Sequence, residues 1–600
     1  MKKKLLSAVA LALVSAFFLA TAACSANRLP DERELSAQEY SILNTVGRDS
    51  LGRYSAPSDS VKKDKDRYVG LFYFLIHNNA ADMQGIYDVT EILEKYGREG
   101  FNTDSDFSPS GKCHVWGEPV WGYYSTPDEW VMRKQIEMFV FSGIDFLVLD
   151  CSNGPLFEEA TDVLFELIAE YRAAGWPAPQ IVYQLNGGGV MERDIQQLKT
   201  IYNRYYTDER FDSVWFAPEG RPMVICLEKT QVYLEGENAA EEEKMLSQFF
   251  HIKNSYWPTD SYFTNNSVPW MDFNIDPNVM GGWVSVSVAQ HTTSMMSDTE
   301  GARGRGWTLL GGNDHENFAA GANLDHQWDN AIAKDSEVEY VFVTGWNEWG
   351  AQKMYRPDMD PVNGYVMIDQ FNDEYSRDLE PTYSSGMKDN FYLQNMRRIR
   401  EWKYESPVQY QIPAASPASV DDRAWSDAAT YLDFTGEAIQ RNAHRFDGAY
   451  SGIYLTDDTA RNDIASVDVA RDGENLYFRI TVSGEVIIPY SEGDTSWMNI
   501  HIRTDAAEND AWGYNFVIRE NGRVMAAENG TYTEKGKADT SVLGNQMYVR
   551  VPLSVLGLSE NKCNIEFKVS DHVTDLGDVL SFYNSGDSAP IGGLSWSFGY

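Results

Sequence analysis

Short apolar runs rich in β-branched and aromatic residues, with Asp145 their one charge, recur through the first two thirds of the chain. They are Tyr68–Ile76, Ile144–Leu149, Gln180–Leu185, Pro222–Leu227, Trp283–Ala289 and Tyr340–Thr344. Runs that do not alternate with polar residues imply strands covered on both faces, as in a parallel sheet. Helical spacing fills the intervals near 86–96, 128–142, 156–174, 191–205, 237–253 and 324–333, with a last helix near 388–402. Pro127-Asp128 opens the second of these and Gly143 ends it. Ser261–Asn265 reads as a weaker strand, and Val366–Phe371 is the expected eighth. Strands alternating with helices over this length predict an α/β fold, a (β/α)8 TIM barrel spanning 67–405.

The pattern then changes. Residues 406–420 carry three Pro with Ser and Ala and no period, which marks a linker. Beyond it, 421–600 alternates strictly in short segments parted by Asp, Asn and Gly, such as Asn475–Val482, Trp497–Arg503, Trp512–Ile518 and Gln546–Val551. That texture predicts an all-β sandwich domain. At the other end, Lys2–Lys4 and the apolar Leu5–Ala20 precede Thr21-Ala22-Ala23-Cys24. This reads as the signal peptide (1–24) of a bacterial lipoprotein, with Cys24 as the lipidation site. Cleavage with full secretion is the alternative. Residues 25–66 are polar and weakly patterned and read as a tether. The expected location is the cell envelope, held by the lipid at the outer membrane or cell surface.

Composition narrows the partners. The 600 residues hold 89 acidic and 50 basic side chains, a formal charge of −39. Such a surface repels nucleic acid and anionic lipid, leaving the lipid anchor as the expected membrane contact. Trp and Tyr number 17 and 34, more than a core needs and suited to stacking on sugar rings. Cys113, Cys151, Cys226 and Cys563 lack the close spacing of a metal site and read as buried free thiols.

Candidate chemistry sits at strand ends, where a barrel places its active site. In Tyr340-Val-Phe-Val-Thr-Gly-Trp-Asn-Glu-Trp349, a carboxylate lies between two indoles directly after a strand. Glu348 is expected to be desolvated there and to serve as general acid/base, with Asp150 as the second carboxylate. Glu228 is a weaker candidate beside Lys229. Trp346, Asn347, Trp349, Trp116, Glu118, Trp121, Tyr183, Asn186 and His291 are the expected substrate-binding residues, and Trp497 and Trp512 the platforms of the sandwich. Arg303 and Arg305, in a Gly-rich loop, suit an acidic sugar. No phosphate-binding or dinucleotide fingerprint follows Gly187–Gly189.

Trp346-Asn-Glu-Trp349 with the later Leu379-Glu380-Pro381 resembles the Trp-Asn-Glu-Trp and Ile/Leu-Glu-Pro pattern of glycoside hydrolase families 99 and 71. Those families are (β/α)8 α-glycosidases, so the resemblance implies a hydrolase cleaving a polysaccharide or glycan, with Glu348 catalytic, and the signal segment makes it an exported one. Where family 99 has a second glutamate three residues on, this chain has Ala351. That departure favours a rival, a non-catalytic glycan-binding lipoprotein. A lyase acting on acidic polysaccharide is a third reading. Trp425, Arg461-Asn-Asp463 and Trp512-Gly-Tyr514 resemble the family 9 carbohydrate-binding module. That resemblance implies a structural Ca²⁺, for which the turns Asp457-Asp458 and Asp505 offer oxygens. Catalysis by two carboxyls needs no cofactor and no metal.

Overall fold

The computed structural model describes residues 35–58, 66–77, 83–185, 189–260, 263–290, 292, 301–368, 370–404, 414–505 and 513–599. Its N-terminal part contains β1 (Tyr68–Tyr73), β2 (Phe146–Cys151), β3 (Gln180–Leu185), β4 (Met223–Cys226), β5 (His251–Tyr256), β6 (Ser267–Pro269), β7 (Trp283–Val286) and β8 (Tyr340–Val343). All eight are parallel; β8 pairs with β1, and the ladder runs on through β2 to β6 and back to β7. β6 and β7 lie side by side where the ends of the ladder meet, giving a nearly closed (β/α)8 barrel.

Residue parity sorts the two faces. Phe72, Phe146, Val148, Val182, Ile225, Trp283 and Phe342 fill the barrel interior. Leu71, Leu147, Leu149, Ile181, Tyr183 and Val343 belong to the layer under the helices. Gly70 is inward-facing and small because a Cβ there would lie 2.3 Å from the Phe146 ring.

Three sequence expectations are corrected. The helix expected over 237–253 is two pieces: Glu241–Phe249 is helical, and His251–Tyr256 is β5. That strand is only half buried and largely polar, so its alternation was masked by the amphipathic spacing before it. The next strand is Ser267–Pro269, not Ser261–Asn265, of which 261–262 lie outside the described residues. The eighth strand is Tyr340–Val343 itself; Tyr365–Met367 pairs antiparallel with Gly350–Tyr355 in a small outer sheet.

The C-terminal part is a sandwich. One sheet orders Ala429–Leu432, Ile464–Arg471, Asn475–Val482, Gln546–Pro552 and Asp539–Leu543; the other contains Leu594–Phe598, Ile565–Asp571, Asn499–Arg503 and their neighbours. Part of the segment read as a tether is built into this second sheet. Ala37–Leu43 is a helix with a complete capping box from Ser36 and Glu39. Thr45–Arg48 then pairs antiparallel with Leu594–Phe598.

The helix Glu129–Ser142 shows how barrel and sandwich meet. Every residue from Trp130 to Ser142 is buried. Its Met138 carbonyl accepts from the Tyr392 hydroxyl at 2.9 Å, while Glu137 Oε1 accepts from the Ile591 amide of the sandwich at 3.2 Å. Nearby, Arg441 Nε donates to Asp128 Oδ2 at 2.8 Å and Trp121 Nε1 to the Tyr583 carbonyl at 3.1 Å. Cys113, Cys151, Cys226 and Cys563 are buried free thiols. No helix among the described residues is long and apolar enough to cross a membrane; Cys24 lies outside those residues.

Candidate active site

Glu348 reaches its position through a turn that only glycine fits. After β8, Gly345 has φ 134°, and a Cβ on it would lie 2.4 Å from the Arg377 carbonyl oxygen. The turn breaks strand parity. Asn347 then takes over a missing rung of the ladder: its Oδ1 accepts from the Phe74 amide at 2.9 Å and its Nδ2 donates to the Phe74 carbonyl at 3.1 Å. The Glu348 amide donates to Asp378 Oδ1 at 2.6 Å.

The carboxyl of Glu348 meets two donors on one oxygen. Gln370 Nε2 donates to Oε2 at 2.8 Å, and the Arg377 guanidinium donates to the same atom. The Arg377 and Glu348 side chains are 1% and 8% exposed. A guanidinium and an amide converging on one oxygen hold a carboxylate as an anion. Arg377 is itself fixed from several sides. Its guanidinium lies 4.5 Å over the Trp270 ring, just after β6, and its amide donates to Gln370 Oε1 at 2.7 Å. Arg305 ties down the flanking backbone, donating to the carbonyls of Ser376 and Asp378 at 3.0 Å each. Burial lowers the Arg305 pKa to about 10.

Asp150 has the parity of Phe146 and Val148, so it faces the barrel interior at the C-terminal end of β2. The Ser152 amide donates to its Oδ1 at 3.0 Å. Burial raises its pKa; the Ser152 hydrogen bonds and the charge of Arg377 oppose that rise. Gln184 stands beside it in the β2–β3 register. The side-chain nitrogen of Gln184 and the hydroxyl of Ser285, on β7, are buried without a protein partner. The result is an asymmetric pair: one carboxylate clamped by a cation, one carboxyl pushed toward its protonated form, both answering to Arg377. Such a pair can divide proton donation and base duty.

The other expected site residues are placed differently. Trp346 turns outward and packs edge-on against Phe139 at 4.7 Å. Trp349 stacks on His77 at 3.8 Å and also meets Tyr123, Tyr124 and Phe446. Trp116 joins a separate cluster with Phe101 and Phe371, and Trp121 is held against the sandwich. Tyr183 packs with Tyr205, Phe165 and Trp215 under the helices. All five rings are buried, which leaves no face for a sugar. Glu118 is exposed. Glu228 starts the short helix Glu228–Glu235. Trp497 is buried with its indole N–H donating to the Ile488 carbonyl at 2.8 Å, so it closes a sandwich loop. Asn186, His291 and Trp512 lie outside the described residues. Glu380, of the Leu-Glu-Pro stretch, sits behind the barrel, accepting from the Tyr124 hydroxyl and Gln135 Nε2 at 2.8 and 2.7 Å.

Sequence reasoning missed Arg377, Gln370, Asp378, Trp270 and Gln184. A signal existed for three of them: Arg377 and Asp378 directly precede the Leu379-Glu380-Pro381 stretch. Gln184 could have been read from parity, being next but one to Val182 on a buried strand.

No protein-family model matches the chain, and no curated protein matches it. Among solved structures it is similar to the GH99 endo-alpha-mannosidase from Bacteroides thetaiotaomicron, with 12% identity and a TM-score of 0.34 over 56% of this chain and 97% of that one. It is also similar to a family 9 carbohydrate-binding module from Caldicellulosiruptor kristjanssonii in complex with glucose, with 15% identity and a TM-score of 0.16 over 32% and 83% of the two chains. Both scores are low, so the fold assignment rests on the strand order itself.

Proposed function

We propose that the protein is a glycoside hydrolase acting on a polysaccharide or glycan, with Asp150 as proton donor and Glu348 as the partner carboxylate. The observation that carries this is the Arg377 guanidinium bonded to the Glu348 carboxyl at the end of the barrel where chemistry is placed, with Asp150 inward-facing at the end of β2. The roles are the reverse of the sequence expectation, because the donors on Glu348 favour its anion and burial favours the protonated form of Asp150. Asp150 would protonate the leaving oxygen while Glu348 acts on a water or on the sugar carbon. The inward donors Gln184 and Ser285 would orient hydroxyls.

The test is reducing-end release from a panel of α- and β-linked polysaccharides. Asp150→Asn and Glu348→Gln should each lower turnover about 10²- to 10⁴-fold. Wild-type rates in either variant would remove that residue from the chemistry. The non-catalytic glycan-binding reading has an observation of its own: Ala351 stands where family 99 has a second glutamate. Binding without release by the wild-type chain would establish it. The lyase reading is disfavoured, since Arg303 donates to Gln290 Oε1 and the Phe273 carbonyl, and Arg305 to backbone. Sandwich binding to glycan and anchoring through Cys24 complete the proposal; Cys24→Ala should move the protein from the membrane to the soluble fraction.

A further inference from the structure

The sandwich sends a hairpin onto the catalytic end of the barrel. Arg441–His444 and Tyr454–Asp457 pair antiparallel and, among the described residues, form a sheet of their own. The hairpin leans on the long connection between β1 and β2. Arg441 donates from Nε to Asp128 Oδ2 and from Nη1 to the Trp121 carbonyl, both at 2.8 Å. Arg445 forms an antiparallel bridge with Tyr124, and the Phe446 amide donates to the Tyr123 carbonyl at 2.7 Å. The turn that carries Phe446 is folded around Asp447, which is 2% exposed. Arg445 Nε and Ser451 Oγ donate to its Oδ1 at 2.7 and 3.1 Å, and its carbonyl accepts from the Tyr450 and Ser451 amides.

That turn delivers the Phe446 ring, 1% exposed, to the residue after Glu348. The ring stands edge-on to Trp349 at 5.3 Å and lies 6.1 Å from His77. Trp349 in turn stacks on His77 at 3.8 Å, and His77 Nε2 donates to the Asn347 carbonyl at 2.6 Å. Thr126 Oγ1 donates to the His77 carbonyl at 2.9 Å, and the Trp116 amide to the Trp349 carbonyl at 3.1 Å. Both neighbours of Glu348 are therefore held through one stack: Asn347 by His77, and Trp349 by His77 and Phe446. Asp378, Gln370 and Arg377 hold Glu348 itself. Edge-on aromatic contacts fix orientation as well as filling volume.

We propose that the sandwich completes the catalytic end of the barrel, with Phe446 as a positioning residue that fixes, through Trp349 and His77, where the Glu348 carboxyl stands. The consequence for turnover rests on the hydrolase reading; the consequence for the rigidity of the turn at Glu348 does not. The sandwich thereby has a task besides holding glycan, and the barrel without it is an incomplete enzyme. A reacting group displaced by about 1 Å loses about 10²-fold in rate, so a ring that never touches substrate can set turnover.

The experiment uses the full chain, with steady-state kinetics on the polysaccharide the wild type cleaves, read well below the Tm of each variant, and amide hydrogen exchange over 344–350. Phe446→Ala should lower kcat about 10²-fold, leave KM nearly unchanged and speed exchange over that stretch. Phe446→Leu keeps most of the apolar volume and loses the ring edge, so about tenfold in kcat is expected; it also serves if the alanine variant does not fold. Leu455→Ala is the control. It lies on the same hairpin, its side chain 3.3 Å from where a Cβ on Gly122 would stand, and it should keep wild-type kcat and exchange. Wild-type kcat in the Phe446 variants would overturn the proposal, as would an equal loss in Leu455→Ala or a rise in KM with kcat intact. If the wild-type chain releases no sugar, the hydrolase reading fails and exchange alone decides. Faster exchange confined to the Phe446 variants would then uphold the positioning role, and unchanged exchange would end it.

Discussion

Arg377 is the residue through which the candidate site holds together, and its geometry is specific to a planar fork. It bonds Glu348, lies over Trp270, and is anchored through its own backbone. Lysine cannot stack and bond at once. Arg377→Lys should cost about 1.5–3 kcal/mol of transition-state stabilisation, the worth of a hydrogen bond to a charged group. Steady-state kinetics should show that loss in kcat more than in KM; a KM effect alone would make Arg377 a binding residue. His77 carries a different prediction. Burial against Trp349 lowers its pKa from 6.5 to about 4, and its Nε2 stays 2.6 Å from the Asn347 carbonyl. Below pH 6.5 the unfolded chain takes up a proton that the folded imidazole refuses until about pH 4. Stability should therefore fall through that window by about 3 kcal/mol. Replacing His77 by Gln should flatten this part of the curve of Tm against pH, and an unchanged slope would contradict the assignment. Residues like these are the least legible from sequence. Glu348 and Asp150 stand out because each ends an apolar run, whereas Arg377 lies in an irregular segment whose placement comes from Arg305 and Gly345.

At the scale of elements, strand parity decides what a side chain can do. Asp150 and Tyr183 both sit near the ends of buried strands, and sequence placed both at the mouth. One residue of parity separates them: Asp150 follows the inward Val148, and Tyr183 follows the outward Ile181. The parallel strands were legible because uninterrupted apolar runs survive in sequence, and β5 was not, because half its surface is polar. Trp346 and Trp349 were misplaced for a third reason, the turn at Gly345. That turn invites a direct test. Gly345→Ala meets both a positive φ and a backbone oxygen that cannot move aside. The expected cost is about 1–3 kcal/mol of stability, with turnover lost because the Arg377 backbone shifts. Melting curves and kinetics on the same sample check it. A variant with native Tm and native kcat would show that the turn is not needed.

At the scale of the whole molecule, barrel and sandwich share one buried seam. The helix Glu129–Ser142 belongs to both cores, and Arg441 of the sandwich pairs with Asp128 at its start, the two side chains 7% and 3% exposed. Removing one partner of a buried pair strands the other charge, at a cost of about 3–5 kcal/mol. Arg441→Met should lower Tm accordingly, and two separated melting transitions would reveal domains that unfold independently. A surface drop of less than about 1 kcal/mol would place the pair among solvated ones. The domain texture was legible from the change in alternation near residue 420, but the seam was not. Contacts such as Glu137 with Ile591 join positions 454 apart in the chain, and no local pattern encodes them.

The pairing of Thr45–Arg48 with Leu594–Phe598 also sets a timetable. A ribosome adding about 5–20 residues per second makes the two strands roughly half a minute to two minutes apart. Until the last of them emerges, the early strand is paired only with the two residues Tyr54–Ser55 and its other edge stays open, and its neighbour Arg400, which donates to the Thr45 carbonyl at 2.5 Å, waits with it. The second sheet is therefore finished only after Leu594–Phe598 has been made. A chain stalled or clipped shortly before Leu594 would carry an intact barrel sequence and an unmatched strand edge, the state in which such chains associate with one another.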